Sequence, residues 1–310
     1  MSLTSLKGFV LEDRCLIRID GEDRYDFLQG LVSNDVEKCR DSKVVWSAIL
    51  TPQGKFLYDF FVYEYDGALL LECEKENMMP LGQLLRKYQL RSDIKLGIEN
   101  ALSVILLDDQ SDISVICEDE IKSKGDLKAF DKGLIFIDPR HEELGKRLVI
   151  RKEELESIAF ENDPMIVDAY TQKRVSKCIP EGNVDIIREK GLLLEYGFDE
   201  LGGVDWRKGC FMGQELTART KYRALIKKRL VVIRPMDGNE GFDSVLSGDS
   251  VMLADKAIGD VRTKSSDAAL AFIDLRKMDD GLRTGKTAKV GECGVNIEIP
   301  EWINGYPFNE

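Results

Sequence analysis

The sequence predicts an α+β protein with largely antiparallel sheets and a small C-terminal β-barrel. Three observations lead there. The first half orders its segments as strand, helix, strand, strand, helix, strand, a sequence that suits antiparallel sheets. Thr51–Lys55 and Asp66-Gly67 are turns that join one strand directly to the next. From about Arg229 onward, only short strands between Gly, Asp and Ser turns follow, the pattern of a small barrel. The expected division is therefore residues 1–226 and a barrel module over 227–310.

Taken in order, Cys15–Ile19 and Val44–Leu50 alternate as strands. Between them Tyr25, Phe27, Leu28 and Leu31 recur at helical spacing, so Asp23–Leu31 reads as a short amphipathic helix. Thr51-Pro52-Gln53-Gly54-Lys55 is a turn leading to a strand over Phe56–Tyr65. Asp66-Gly67 then makes a hairpin into Ala68–Glu72. Lys75–Leu90 is helical by pattern. Strands are expected around Val104–Leu107, Ser114–Cys117, Leu134–Ile137 and Leu148–Ile150, and helices over Arg151–Glu161 and Pro164–Arg174. The barrel strands are expected at Arg229–Ile233, Ser250–Leu253, Lys256–Arg262, Ala268–Ile273, Ala288–Val290 and Val295–Ile299.

Composition narrows the function. The chain has 310 residues, 43% hydrophobic and 32% charged, the profile of an ordinary globular protein. A formal net charge of −12 argues against a general nucleic-acid or anionic-membrane binder, since both need a positive field. No apolar run approaches the roughly 20 residues that span a bilayer. Met1–Val10 holds no apolar core of a secretory signal, so the cytoplasm is the expected compartment. The seven cysteines (15, 39, 73, 117, 178, 210 and 293) contain no CxxC pair, which fits reduced thiols and no self-contained metal or cluster site. The single histidine, His141, lies in the charged turn Asp138–Glu143 and reads as a solvated surface residue at the start of a helix.

The least ordinary stretch is Lys208-Gly209-Cys210-Phe211-Met212-Gly213-Gln214-Glu215. Two glycines flank a cysteine, as in a loop of unusual dihedrals or close approach by a partner. Arg207, Lys208, Arg219, Lys221 and Arg223 surround it in sequence, and cations near a thiol favour thiolate. Read from chemistry alone, Cys210 is either a functional thiol or a small packing residue.

This octapeptide resembles the K-G-C-[YF]-x-G-Q-E signature of the YgfZ family, folate-binding relatives of the glycine-cleavage T-protein linked to iron–sulfur enzyme maturation. Leu216–Thr220 is similar to the α-proteobacterial and mitochondrial branch. Phe27–Val36 resembles the family's F-L-Q-G-x-x-[ST]-N-D-[VI] element, Leu50–Lys55 its strand–turn–strand, and Arg174, Ile179-Pro180-Glu181 and Asp185 its R-x₃-G-I-P-E-x₃-D element. Cys178 stands where that element has Gly.

The resemblance implies a T-protein-like fold with a tetrahydrofolate site in residues 1–226, and a role as accessory factor in assembly or repair of [4Fe–4S] proteins. Cys210 would be the functional thiol, with iron–sulfur enzymes or cluster assembly proteins as partners and Cys178 as a conceivable helper. Glu195 is the first choice for the pterin edge, because a carboxylate accepts two N–H bonds from an aminopyrimidinone. Asn34 and Asp35 could line the same pocket, or could serve as a turn or helix cap. Lys208, Gln214, Arg219 and Arg223 complete the expected folate contacts. The alternative is a tetrahydrofolate-dependent aminomethyltransferase. T-proteins carry paired aspartates after the strand turn, where Leu57-Tyr58-Asp59-Phe60 offers only Asp59.

Overall fold

Runs of buried residues drive the first half of the chain into sheet. In the computed structural model the described residues are 6–117, 121–155, 158, 160–222, 226–236, 241–282 and 285–303. They fall into two compact units: Met1–Leu50, Leu57–Tyr170 and Gly202–Met212 form the first, and Thr51–Phe56, Thr171–Leu201 and Gly213–Glu310 the second.

The first unit contains strands β1 (Leu6–Val10), β2 (Arg14–Asp20), β3 (Val45–Leu50), β4 (Phe56–Tyr65), β5 (Ala68–Glu74), β6 (Lys95–Ile98), β7 (Leu102–Leu107), β8 (Leu127–Phe130), β9 (Gly133–Ile137), β10 (Lys146–Arg151) and β11 (Phe160–Asn162). They form a five-stranded sheet ordered β3-β4-β5-β2-β6 and a six-stranded sheet ordered β11-β1-β7-β10-β9-β8. All described ladders are antiparallel except β1 with β11. The β4–β5 hairpin turns on Asp66 and Gly67, both at positive φ (50° and 70°), as the two-residue hairpin turn of matching twist demands.

Helices α1 (Arg24–Gln29) and α2 (Met78–Gln89) pack on the first sheet. Tyr25, Phe27 and Leu28 from α1 and Leu81 and Leu85 from α2 enter one core with Ile19, Phe60 and Leu71. A buried charge network sits beside it. Arg147 on β10 pairs with Glu72 on β5, and its guanidinium also donates to Tyr170 Oη at 3.0 Å. Arg140 forks onto Asp138, and Arg14 donates to Glu72 at 3.3 Å. Each buried charge therefore has an opposite partner, without which its desolvation would cost several kcal/mol.

The second unit is dominated by a closed barrel of β12 (Lys228–Pro235), β13 (Ser250–Leu253), β14 (Lys256–Lys264), β15 (Ala269–Asp274), β16 (Ala288–Val290) and β17 (Cys293–Glu298), in the cyclic order β12-β15-β14-β13-β16-β17. Val231, Ile233, Val251, Val261, Ala271 and Val295 fill it. Arg174, 2% exposed near the end of the helix Met165–Ser176, explains the R-x₃-x-I-P-E-x₃-D element structurally. It donates to Ile179 O (2.9 Å), Asp185 Oδ2 (2.5 Å) and Thr263 Oγ1 (2.9 Å). Asp185 in turn accepts from the Glu181 and Thr263 N–H groups. Cys178 adopts φ 55°, the left-handed conformation for which Gly is the usual choice after a helix, so the cysteine keeps the turn.

Three expectations need correction. Ser114–Cys117 is not a strand: Ile113–Val115 is a 3₁₀ turn capped by Asp112, whose carboxylate takes the Ser114 N–H. Arg151–Glu161 is not one helix. Arg151 ends β10, Lys152–Leu155 is a single helical turn, and Phe160 begins a strand parallel to Leu6. Non-local pairing there overrides the local helical pattern. His141 does not head an α-helix. It caps the 3₁₀ turn Glu142–Leu144, accepting the Glu143 N–H at Nδ1.

Candidate functional site

In the first unit the two sequence motifs form one hydrogen-bonded assembly. Asn34 is 3% exposed, and its amide donates to Trp46 O (2.7 Å) and Gly202 O (2.8 Å). Its Oδ1 accepts from the Asp35 N–H and Lys38 Nζ. Ser33 Oγ donates to Gly203 O at 2.7 Å, and the Asp205 N–H donates to Ser33 O. The Asp205 carboxylate accepts from the Arg207 and Lys208 N–H groups and from Lys38 Nζ at 2.6 Å. Asp35 caps the 3₁₀ turn Val36–Asp41, accepting from the Glu37 N–H, and also holds Gln29 Nε2 at 2.8 Å. Asn34 thus ties the segment Gly202–Met212 to Trp46, and Asp35 caps the neighbouring 3₁₀ turn.

Lys208 is buried, and its ammonium turns inward. Nζ donates to Val32 O (2.6 Å) and Asn34 O (2.7 Å) and lies 5.5 Å from the Phe211 ring centre. Burial is the largest influence on it, and despite the Asp35 and Asp205 carboxylates its pKa falls to about 8. Two residues later, Cys210 points to solvent. All seven cysteines lie among the described residues, and Cys210 alone is exposed. The loop is therefore anchored by Lys208 and the buried Phe211 and carries its thiol outside.

The remaining candidates lie in the second unit. Glu195 sits in the 3₁₀ turn Leu193–Tyr196. That turn is fixed to the barrel: Arg229 on β12 donates to Leu194 O at 2.9 Å and pairs with Glu200 at 2.6 Å, and Tyr196 stacks on Phe272 of β15, with centroids 4.7 Å apart. Glu195 is half-buried, and no described side chain donates a hydrogen bond to it. Desolvation raises its pKa, against Lys55, the Leu192 N–H, Lys228 and Arg229, which lower it. Gln214 opens the helix Gln214–Tyr222. Arg219 forms an exposed pair with Glu215 at 3.2 Å, and Lys221 meets Asp199 at 2.8 Å. Arg223 lies outside the described residues. Cys178 is fully buried, and burial pushes its thiol pKa up, which removes it as a helper thiol.

Sequence reasoning missed Ser33, Asp205 and Lys38 as the residues that hold the loop. Ser33 lies inside the F-L-Q-G-x-x-[ST]-N-D match, so its position carried the signal; Lys38 and Asp205 carried none. Among the described residues, no group of three or more His, Cys, Asp or Glu side chains could hold a metal ion. No described helix is long and apolar enough to cross a membrane.

Comparison with known proteins follows the same division. Residues 227–305 match the CAF17 C-terminal beta-barrel domain. The chain is 31% identical over 233 residues to the mitochondrial iron-sulfur cluster assembly factor IBA57 homolog of Neurospora crassa, covering 71% of this chain and 52% of the relative. The homolog of Coccidioides immitis is 28% identical, with 96% and 83% covered, and that of Mycosarcoma maydis is 32% identical, with 70% and 54% covered. The chain thus spans about half the length of two of these relatives. The crystal structure of glycine cleavage system aminomethyltransferase T from Bartonella henselae superposes with a TM-score of 0.74 at 11% identity, covering 97% of this chain and 87% of that one. These relatives are named as mitochondrial, which overturns the cytoplasmic expectation. Reduced thiols and a water-soluble composition suit any reducing aqueous compartment, so composition had no means of telling them apart. Over these stretches the chain is similar to the IBA57 iron–sulfur cluster assembly factors, and it has the fold of aminomethyltransferase T with a C-terminal barrel that matches the CAF17 barrel domain.

Proposed function

We propose that this protein is a tetrahydrofolate-binding accessory factor in the assembly or repair of iron–sulfur proteins, with Cys210 as its functional thiol. The observation that carries the reading is the placement of Cys210: a solvent-facing thiol on a loop whose neighbours Lys208 and Phe211 are buried. The names of the homologues point the same way. One cysteine cannot hold a cluster alone, so a client protein, a small thiol or an assembly protein supplies the other ligands. Iron or the cluster is cargo here, passed through a site the partner completes.

Glu195 fits the folate reading. It is a half-buried carboxylate to which no described side chain donates, fixed to the barrel wall, and suited to accept N–H groups from a pterin edge. Gln214 and Arg219 would contribute polar and cationic contacts from their helix, and Arg223, outside the described residues, would meet the folate tail. Bound folate would supply a one-carbon carrier. We place Asn34 and Lys208 as positioning residues that hold the Cys210 loop, and Asp35 as the cap of the neighbouring turn, rather than as folate contacts. The 227–310 module is taken as a distinct domain. The aminomethyltransferase alternative is set aside: Asp59 accepts from Trp46 Nε1 at 2.8 Å and lacks the second aspartate of the T-protein pair.

The test is complementation of a strain lacking its own homologue, reading the activity of a [4Fe–4S] enzyme such as aconitase. Wild type should rescue, and a folded Cys210→Ser protein that still binds tetrahydrofolate should not. Full rescue by Cys210→Ser would reduce the cysteine to a packing role and reopen the alternatives.

A further inference from the structure

A second thiol site lies in the first unit, on β2 and β5. Cys15 and Cys73 are directly opposite each other in the antiparallel ladder, with Sγ atoms 3.4 Å apart. Cα atoms of facing residues in such a ladder stand about 4.5–5.5 Å apart, inside the range a disulfide requires, so bonding needs only side-chain adjustment. The pair is asymmetric. Cys73 is fully buried, whereas Cys15 is half-buried and forms part of the wall of a pocket of about 350 Å³.

The rim of that pocket is charged in both senses. Lys75, Lys152 and Glu12 line it, all three exposed, and none forms an ion pair among the described residues. Arg14 also lines it, though its guanidinium is turned to Glu72, and Glu99 is paired with Arg18 at 3.5 Å. Around Cys15, the Cys73 S–H bond is the largest influence and lowers the thiol pKa; Arg14 and Lys75 act in the same direction, against burial and Glu72. For Cys73 the hydrogen bond to Cys15 and burial both raise it. Cys15 is thus the sulfur placed to attack, and Cys73 the protonated partner behind it.

We propose that the β2–β5 pocket is a thiol–disulfide exchange site for a small disulfide bearing both carboxylates and ammonium groups, of the glutathione disulfide class. Two free cations would take its carboxylates, and Glu12 would take an ammonium. The Cys15 thiolate attacks one sulfur of the bound disulfide, forming a mixed disulfide and expelling one thiolate, which is protonated. Cys73 then loses its proton and attacks the Cys15 sulfur, closing the Cys15–Cys73 bond and releasing the second small thiol. Two electrons pass from the protein dithiol to the small disulfide, and no other oxidant is needed.

The experiment uses the full chain in a Cys210→Ser background, so that the exposed loop thiol does not compete. Glutathione disulfide is the probe, read by intact mass and peptide mapping. The expected result is loss of two hydrogens with a Cys15–Cys73 cross-linked peptide. In Cys73→Ala one glutathione should be trapped on Cys15, and in Cys15→Ser neither product should form. Reversing both rim cations (Lys75→Glu with Lys152→Glu) should slow the reaction with glutathione disulfide by roughly fivefold, the worth of two exposed ion pairs. It should leave the reaction with the uncharged 2-hydroxyethyl disulfide unchanged. Because Cys73→Ala changes the core, the Cys15→Ser and lysine variants decide the matter if that protein fails to fold. The proposal is overturned if Cys15 in the folded protein reacts no faster than in denaturant, or if Cys73 takes up glutathione as fast in Cys15→Ser as the pair reacts in the parent protein. Equal slowing of both probes by the lysine reversals overturns it too.

Discussion

Replacing Lys208 by Met tests how the Cys210 loop is held. Methionine keeps most of the apolar stem and removes the amine that donates to Val32 O and Asn34 O. Burial lowers the lysine from 10.5 to about 8. At about 1.36 kcal/mol per pH unit, that difference is worth on the order of 3 kcal/mol. The sign follows from the protons. Between about 8 and 10.5 the unfolded chain still carries the ammonium while the folded protein has released it, so unfolding takes up a proton. Raising the pH therefore favours the folded state, and the full gain is reached above 10.5. Wild-type stability minus that of Lys208→Met should climb across this window by up to about 3 kcal/mol, with all other titrations cancelling in the difference. Urea unfolding of both proteins at a series of pH values from neutral to alkaline measures it. A flat difference would refute the reasoning, and so would a falling one. A flat difference would mean that the carbonyls and the Asp35 and Asp205 carboxylates offset the burial in full, and a falling one that they outweigh it.

Two further outcomes are expected. Arg174→Met should cost about 3–5 kcal/mol in denaturant unfolding, because the fully buried Asp185 loses its guanidinium partner; a loss under about 1 kcal/mol would show that the network relaxes. Glu195→Gln removes a carboxylate whose folded pKa lies above 4.5 and whose ionised form burial therefore disfavours. Its stability advantage over wild type should grow as pH rises through that window and then level off. Under the proposed role, tetrahydrofolate affinity should fall roughly ten- to a hundredfold, the worth of hydrogen bonds to a charged group. Calorimetric titration with unchanged affinity would remove Glu195 from the pterin site.

Much of this protein was legible before any tertiary contact was known. The Asp66-Gly67 hairpin and the strands Phe56–Tyr65, Ser250–Leu253 and Ala288–Val290 stand at their expected residues, because turn chemistry and side-chain alternation are local properties. The barrel was legible for the same reason, as strands closely spaced between turns. Motif spacing likewise brought out Phe27–Val36 and Lys208–Glu215, although nothing in their composition says that they are hydrogen-bonded to each other.

Only tertiary structure decided the rest. β11 exists because Phe160 finds Leu6 across more than 150 residues, a pairing that overrides a locally helical pattern. The direction of Lys208 could not be read either: beside a cysteine in sequence, it looked like an activating cation, yet its ammonium caps two carbonyls inside the fold. Asn34 and Asp35 read from sequence as ligand contacts or as a cap, and the partners they hold, among them Trp46 O and Gly202 O, are set by segments that only the fold brings to them. Cys15 and Cys73, 58 residues apart, had no shared signal at all. Sequence by itself determined the elements and the residue types available for chemistry, since these depend on near neighbours. Burial, facing direction and pairing depend on which distant segments meet, and those decided which of the candidate groups are held inside and which are left to react.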